Sequence, residues 1–262
     1  MELTARQRKI LALVVKEYID TAVPIGSAAI CQKYLDGECS PATIRNELAA
    51  LEEQGFLTHP YTSAGRIPTD QGYRFYVDEL MDAYRLTARE KTLVEQLQVA
   101  LGRDLNSLMD ETLKAIQSLS ENYTTVLKTD DHLLNELTGK VRNTLESARQ
   151  ESLRLSGLAK MFYEPEFEDV QNIRRMMDLL DDKTEVMHIL DEHSGGETSI
   201  SIGAELQTEP LKDCSLVAKD FFYKGERVGS LGIIGPTRMR YSKITAAVDS
   251  IAQALDVFFA DF

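Results

Sequence analysis

The chain has 262 residues, 43% hydrophobic and 27% charged, which suits one large domain or two ordinary ones with a sizeable core. Its formal charge of −13 excludes a chain-wide binder of polyanions, but it leaves room for a local docking face, where the field that matters is the local one. Cys31, Cys39 and Cys214 lack CxxC spacing, the start carries no basic-then-apolar leader, and no run approaches the roughly 18 apolar residues that span a bilayer; together these predict a cytoplasmic protein with no membrane partner.

Leu3 to Thr21 reads as a helix, with Ile10, Leu11, Val14, Tyr18 and Ile19 at helical spacing. Pro24 and Gly26 break it, and Ser27 caps a short second helix, Ala28 to Leu35. Asp36-Gly37 turns the chain, and Ser40-Pro41 starts a third helix that runs to Gln54, with Gly55 as its stop. Phe56 to Pro68 reads as two short strands around a Ser-Ala-Gly turn, and Thr69 caps a fourth helix, Asp70 to Tyr84. Three helices followed by a hairpin predict a winged helix-turn-helix over residues 1–85, a segment with about nine basic and about twelve acidic side chains.

Residues 86–158 read as a helical connector and possible dimerisation region. It has one apolar stripe through Leu93, Leu97, Leu101, Leu105 and Leu108, and a long amphipathic helix, Asp130 to Leu158, with a stripe through Leu133, Leu134, Leu137, Val141 and Leu145. Each stripe is either intramolecular packing or a dimer seam, a closing helix with Leu255, Phe258 and Phe259 is a third candidate seam, and the first stripe is favoured because it leaves the head directly. Residues 159–262 change texture: a helix from Asp169 to Leu180, then apolar runs Val186–Leu190, Ser199–Ile202, Leu216–Tyr223 and Val228–Ile234 read as strands, and a closing helix from Ser242 to Ala260. The fold class is therefore α+β.

The third helix carries the chemistry. With Ile44 at the centre of its buried face, Leu48 and Leu51 fall beside it at about 100° per residue. Ala42, Asn46, Ala49 and Glu53 then face outward, flanked by Thr43 and Arg45. Arginine pairs with guanine O6 and N7, asparagine with adenine, and small side chains or the Thr43 methyl touch thymine methyls. Ser40 and the helix start suit a phosphate. In the hairpin, Ser63, Gly65 and Arg66 form a wing tip for backbone or minor groove, with Arg66 alternatively paired to an acid such as Asp70. Lys9, Tyr61 and Arg74 are lesser phosphate candidates.

The runs Ser40-Pro41-Ala42-Thr43-Ile44-Arg45-Asn46-Glu47, Leu51-Glu52-Glu53-Gln54-Gly55, Thr62-Ser63-Ala64-Gly65-Arg66-Ile67-Pro68-Thr69 and Gly72-Tyr73-Arg74 resemble the HrcA family of heat-inducible transcription repressors. So do Leu3-Thr4, Arg6-Gln7, Pro24-Ile25-Gly26-Ser27, Pro165-Glu166-Phe167 and Gly235-Pro236-Thr237-Arg238-Met239-Arg240-Tyr241. The resemblance implies a repressor of chaperone operons that binds an inverted-repeat, CIRCE-type operator as a homodimer, depends on the chaperonin GroEL, and carries a GAF-like C-terminal domain. It covers both ends well and the middle poorly. The chain is thus a short member, and its GAF-like α+β domain is expected to be reduced, without the usual inserted dimerisation domain.

No catalytic, metal or cofactor constellation stands up. His59, His132, His188 and His193 are scattered, there is no HExxH or GxSxG, and Cys31 with Cys39 and His59 lacks a fourth ligand. Asp181-Asp182 and Asp130-Asp131 read as caps and solvated ends, and Gly235-Pro236-Thr237-Arg238 as a strand-to-helix corner or, less simply, an anion site. The chain is therefore expected not to be an enzyme. The leading reading is an operator-binding repressor, and the alternative is a winged-helix regulator whose C-terminal domain senses a small effector.

Overall fold

A capping box starts the first helix. In the computed structural model, which describes residues 3–34, 39–61, 64–99, 105–120, 122–130, 151–167 and 169–260, the Gln7 N–H donates to the Thr4 hydroxyl at 3.2 Å and the Thr4 N–H to the Gln7 side chain at 3.0 Å. Helix α1 (Ala5–Thr21) buries Ile10, Leu11, Val14, Val15 and Ile19 on one stripe. Helices α2 (Ser27–Tyr34) and α3 (Pro41–Glu53) follow. Strands β1 (Leu57–Thr58) and β2 (Ile67–Pro68) pair antiparallel, Leu57 against Pro68 and Thr58 against Ile67. Ile25 adds a third rung to this wing: its N–H donates to Arg66 O at 3.1 Å, and the Arg66 N–H donates back at 2.8 Å.

Helix α4 (Asp70–Phe75) is capped by Thr69 and continues as a wider, π-type turn, Tyr76–Leu80. It was predicted to reach Tyr84 and ends four residues earlier, with Met81 extended. Asp78, Glu79 and Asp82 crowd its C-terminal end, where the helix dipole disfavours negative charge. At its start a Cβ on Gly72 would lie 2.1 Å from Phe56 O, so only glycine fits there.

The chain divides into two compact units, Met1–Ala83 with Thr237–Ser242, and Tyr84–Pro236 with Lys243–Phe262. The first unit is therefore built from two distant pieces of sequence. Arg238 donates to Ile19 O at the C-terminal end of α1 at 3.4 Å, and Arg240 pairs with Asp20 at 3.1 Å. Both cations meet a helix end that favours positive charge. Met239 is fully buried, and the Tyr241 ring, also buried, lies 6.0 Å from that of Tyr73. The segment read as a corner of the C-terminal region thus completes the core of the N-terminal head.

The second unit holds α5 (Ala88–Val99), α6 (Leu105–Ser120), β3 (Thr124–Asp130), β4 (Glu151–Ser156), α7 (Leu158–Met161), α8 (Val170–Asp181), α9 (Lys183–His193), β5 (Ser199–Ile202), β6 (Cys214–Tyr223), β7 (Glu226–Pro236) and the closing helix α10 (Tyr241–Ala260). Its sheet is antiparallel, in the order β4-β3-β7-β6-β5. Alternation along β6 sorts the two faces. Leu216 and Ala218 join Met176, Leu180, Val186, Ile189 and Leu190 of α8 and α9 in one core, while Phe221 stacks on Phe259 of α10. On the α9 side, Lys128, Ser230 and Asp220 stand in one row across β3, β7 and β6. Lys128 is capped by Asp191 at 2.6 Å, and the Ser230 hydroxyl donates to Asp220 at 2.6 Å, so these buried polar groups are paired. Burial pushes the Cys214 thiol up, which leaves it a protonated core residue.

Two expectations fail in this unit. Residues 151–156, predicted as the end of a long helix, form strand β4, whose Leu153 and Leu155 pair across to Lys128 and Val126; the remainder of that stretch, 131–150, lies outside the described residues. Val186–Leu190, predicted as a strand, belongs to α9. The Asp182 carboxylate accepts from Thr184 N and Glu185 N, and Val186, Ile189 and Leu190 take helical spacing. The first part of the helical connector consists of two helices packed on each other, α5 and α6.

Two residues of the favoured dimer seam take part in this packing. Leu97 and Leu108 are 4% and 2% exposed inside the unit, and Leu101 lies outside the described residues. Leu97→Ala is expected to cost about 2–3 kcal/mol in urea unfolding while leaving the sedimentation coefficient of the native protein unchanged. A clean shift to folded monomer would return Leu97 to an interface. Among the described residues no helix is long and apolar enough to cross a membrane.

Candidate nucleic-acid interface

Ser40 fixes the start of α3. Its Oγ accepts the Thr43 N–H at 3.1 Å and lies 3.0 Å from the Thr43 hydroxyl, and Pro41 fills the first helical position. Ile44, Leu48 and Leu51 then bury one face completely or nearly so. That rotation turns Ala42, Arg45 and Asn46 outward, exposed, with Ala49 half-buried beside them. Among the described residues Arg45 and Asn46 have no hydrogen-bond or ion-pair partner, so their donors and acceptors are available to a base edge. Ser40 is exposed but its oxygen already serves as the cap, and the half-buried Thr43 shares that bond.

The wing side of the site differs from expectation. Thr62 and Ser63 lie outside the described residues. A Cβ on Gly65 would lie 2.5 Å from the Ile25 backbone carbon, so glycine is required there by the rung between Ile25 and Arg66 whatever else it does. Arg66 carries two expectations, a contact with DNA or a pairing with a nearby acid such as Asp70. The acid it meets is Glu52: Nη2 donates to Glu52 Oε2 at 2.6 Å, and Nη1 reaches Ala64 O at 3.5 Å. The second oxygen of Glu52 is taken by His59 Nδ1. Glu52, near the end of α3, is thus a functional candidate that sequence reasoning missed. The face assignment drew attention to its neighbour Glu53, and nothing local announces a partner seven and fourteen residues on.

The lesser candidates are mixed. Tyr61 is 64% exposed at the start of the wing tip, Arg74 pairs with Asp78 at 3.2 Å, and Lys9 has a partner of its own. Cys31 donates to Cys39 O at 2.7 Å. Among the described residues no group of three or more His, Cys, Asp or Glu side chains converges to hold a metal.

Comparison with known proteins places this geometry in context. Residues 77–245 match the family described as HrcA protein C terminal domain. The chain is 31% identical to the heat-inducible transcription repressor HrcA of Acetivibrio thermocellus, over 95% of this chain and 94% of that protein. It is 28% identical to the protein of the same name from Carboxydothermus hydrogenoformans, over 95% and 96%. Among solved structures, a hypothetical protein superposes with a TM-score of 0.75 at 18% identity, over 99% of both chains, a likeness of fold.

Proposed function

The chain belongs to the HrcA family, and from that premise we propose that it is a heat-inducible transcription repressor that reads an inverted-repeat operator with α3 and flanks it with the wing. The observation that carries the reading is the outward face of α3, where an arginine and an asparagine stand exposed and unpartnered between small residues on a helix whose other face is locked into the head. That is the composition a major-groove helix needs: close approach from Ala42 and Ala49, base edges from Arg45 and Asn46, phosphate from the capped start at Ser40 and Thr43. Ser63, Gly65 and Arg66 complete the proposed contact set from the wing, Arg66 with its charge offset by Glu52.

An inverted repeat demands a two-fold reader, so the active species in this reading is a homodimer. The chaperonin GroEL, implied by the family resemblance, is its proposed partner, and chaperone operons are its proposed targets. The local field is modest, since the first 85 residues are close to charge balance, which favours base readout over non-specific attraction.

Footprinting of the purified protein on the DNA upstream of its own gene tests this reading. The expected result is protection of two inverted half-sites whose centres are about 10 bp, or a multiple of that, apart. A uniform ladder with no protected repeat would remove the operator-reading role.

A further inference from the structure

Glu52 holds the wing onto the recognition helix. Its two carboxylate oxygens go to two different parts of the hairpin: Oε2 to the Arg66 guanidinium at 2.6 Å, and Oε1 to His59 Nδ1 just past β1. Arg66 is in turn fixed along its backbone by the pair of hydrogen bonds with Ile25 and at its tip by Ala64 O. The Glu52 and Arg66 side chains are 25% and 24% exposed, and Arg66 Nε is buried with no partner among the described residues. The guanidinium is therefore committed to one carboxylate in a partly dry site, where an ion pair is worth more than on an open surface.

We propose that Glu52 is a positioning residue for DNA recognition. It pins Arg66 and His59 to the end of α3, so that wing and helix meet the duplex at one fixed angle, and it neutralises a cation that would otherwise add sequence-independent attraction. The inference rests on the operator-reading role of α3 argued above. Its physical content is a trade. With the carboxylate present, binding depends on simultaneous contact by helix and wing. Without it, Arg66 is a loose cation near phosphate, which strengthens binding to any DNA and weakens discrimination.

The test compares wild-type protein with Glu52→Ala and Glu52→Gln in gel-shift titrations, using a duplex carrying the footprinted inverted repeat and a scrambled duplex, over a series of salt concentrations. For both variants, preference for the operator should fall about tenfold. Affinity for scrambled DNA should rise, and the slope of log K against log salt should steepen by about one unit. In the double variant Glu52→Ala with Arg66→Ala the slope should return to the wild-type value, because the released cation is gone. Equal losses on both duplexes with an unchanged slope would reduce Glu52 to a stabilising contact and overturn the proposal, as would variants indistinguishable from wild type. Glu52→Gln keeps an acceptor oxygen and carries the test should thermal melting show that Glu52→Ala does not fold. If wild-type protein itself shows no preference for the repeat, the operator-reading role fails instead, a result separable from any behaviour of the variants.

Discussion

Replacing Arg45 and Asn46 together by alanine is expected to abolish operator preference while leaving the protein folded and its binding to scrambled DNA nearly intact. Both side chains are exposed and, among the described residues, without a hydrogen-bond or ion-pair partner, so truncation removes no such bond there. Each bidentate base contact contributes about 1–3 kcal/mol of discrimination, so the pair accounts for a loss on the order of thirtyfold to ten-thousandfold or more. Neither substitution touches the buried Ile44–Leu48–Leu51 face, and the melting temperature should stay within a degree or two of wild type. Gel-shift titrations at fixed salt on operator and scrambled duplexes measure the effect. Equal losses on the two would mean that α3 supplies general attraction rather than readout. The single variants locate the specificity further: Arg45→Ala should relax a guanine position and Asn46→Ala an adenine position within each half-site.

Tyr241→Ala is expected to destabilise the N-terminal head by about 3–5 kcal/mol, although more than 150 residues separate Tyr241 from its ring partner Tyr73. Tyr241 is 1% exposed, its hydroxyl donates to Thr237 O, and it packs in the same core that Met239 fills. Truncation leaves a cavity that α1 and α4 close only by moving. Hydrogen exchange resolved along the chain gives the readout. Protection should drop across residues 5–21 and 70–76 more than across the sheet strands. If the loss were confined to residues 124–236, the head would not depend on this segment.

These two cases mark what the sequence made legible. The N-terminal elements carry local signals that suffice: Thr4 with Gln7, Ser40 with Pro41, and Thr69 each cap a helix, and apolar spacing names the buried face. Arg45 and Asn46 could be placed from periodicity alone because a helix maps sequence to direction by a fixed rotation. The rest needed partners distant in sequence. Thr237–Ser242 looks like a corner because nothing in Arg238 or Tyr241 encodes the α1 end that receives them. Glu52 is one of two adjacent acids until the hairpin folds back and supplies His59 and Arg66. The error at Val186–Leu190 was avoidable. Asp181-Asp182 reads as a cap pair, and an N-cap four residues before Val-Met-His-Ile-Leu argues for a helix over a strand. Residues 151–156 read as helix because the polar stretch before them has helical spacing, and only the ladders of β3 with β4 and with β7 show strands there.

The split construction of the head also dictates when it can first exist. Arg238 and Ile19 are separated by 219 positions, so closing that contact carries the entropic cost of a very long loop. At about 5–20 residues per second, translation reaches position 241 roughly 12 to 48 s after initiation. Until then a nascent chain holds α1 to α4 with their C-terminal piece unmade and the Tyr73 ring without its lid. Operator binding is therefore a property acquired late in synthesis. Chains interrupted before Thr237 should occupy no operators, so unfinished copies of the repressor would not compete with finished ones for the same DNA.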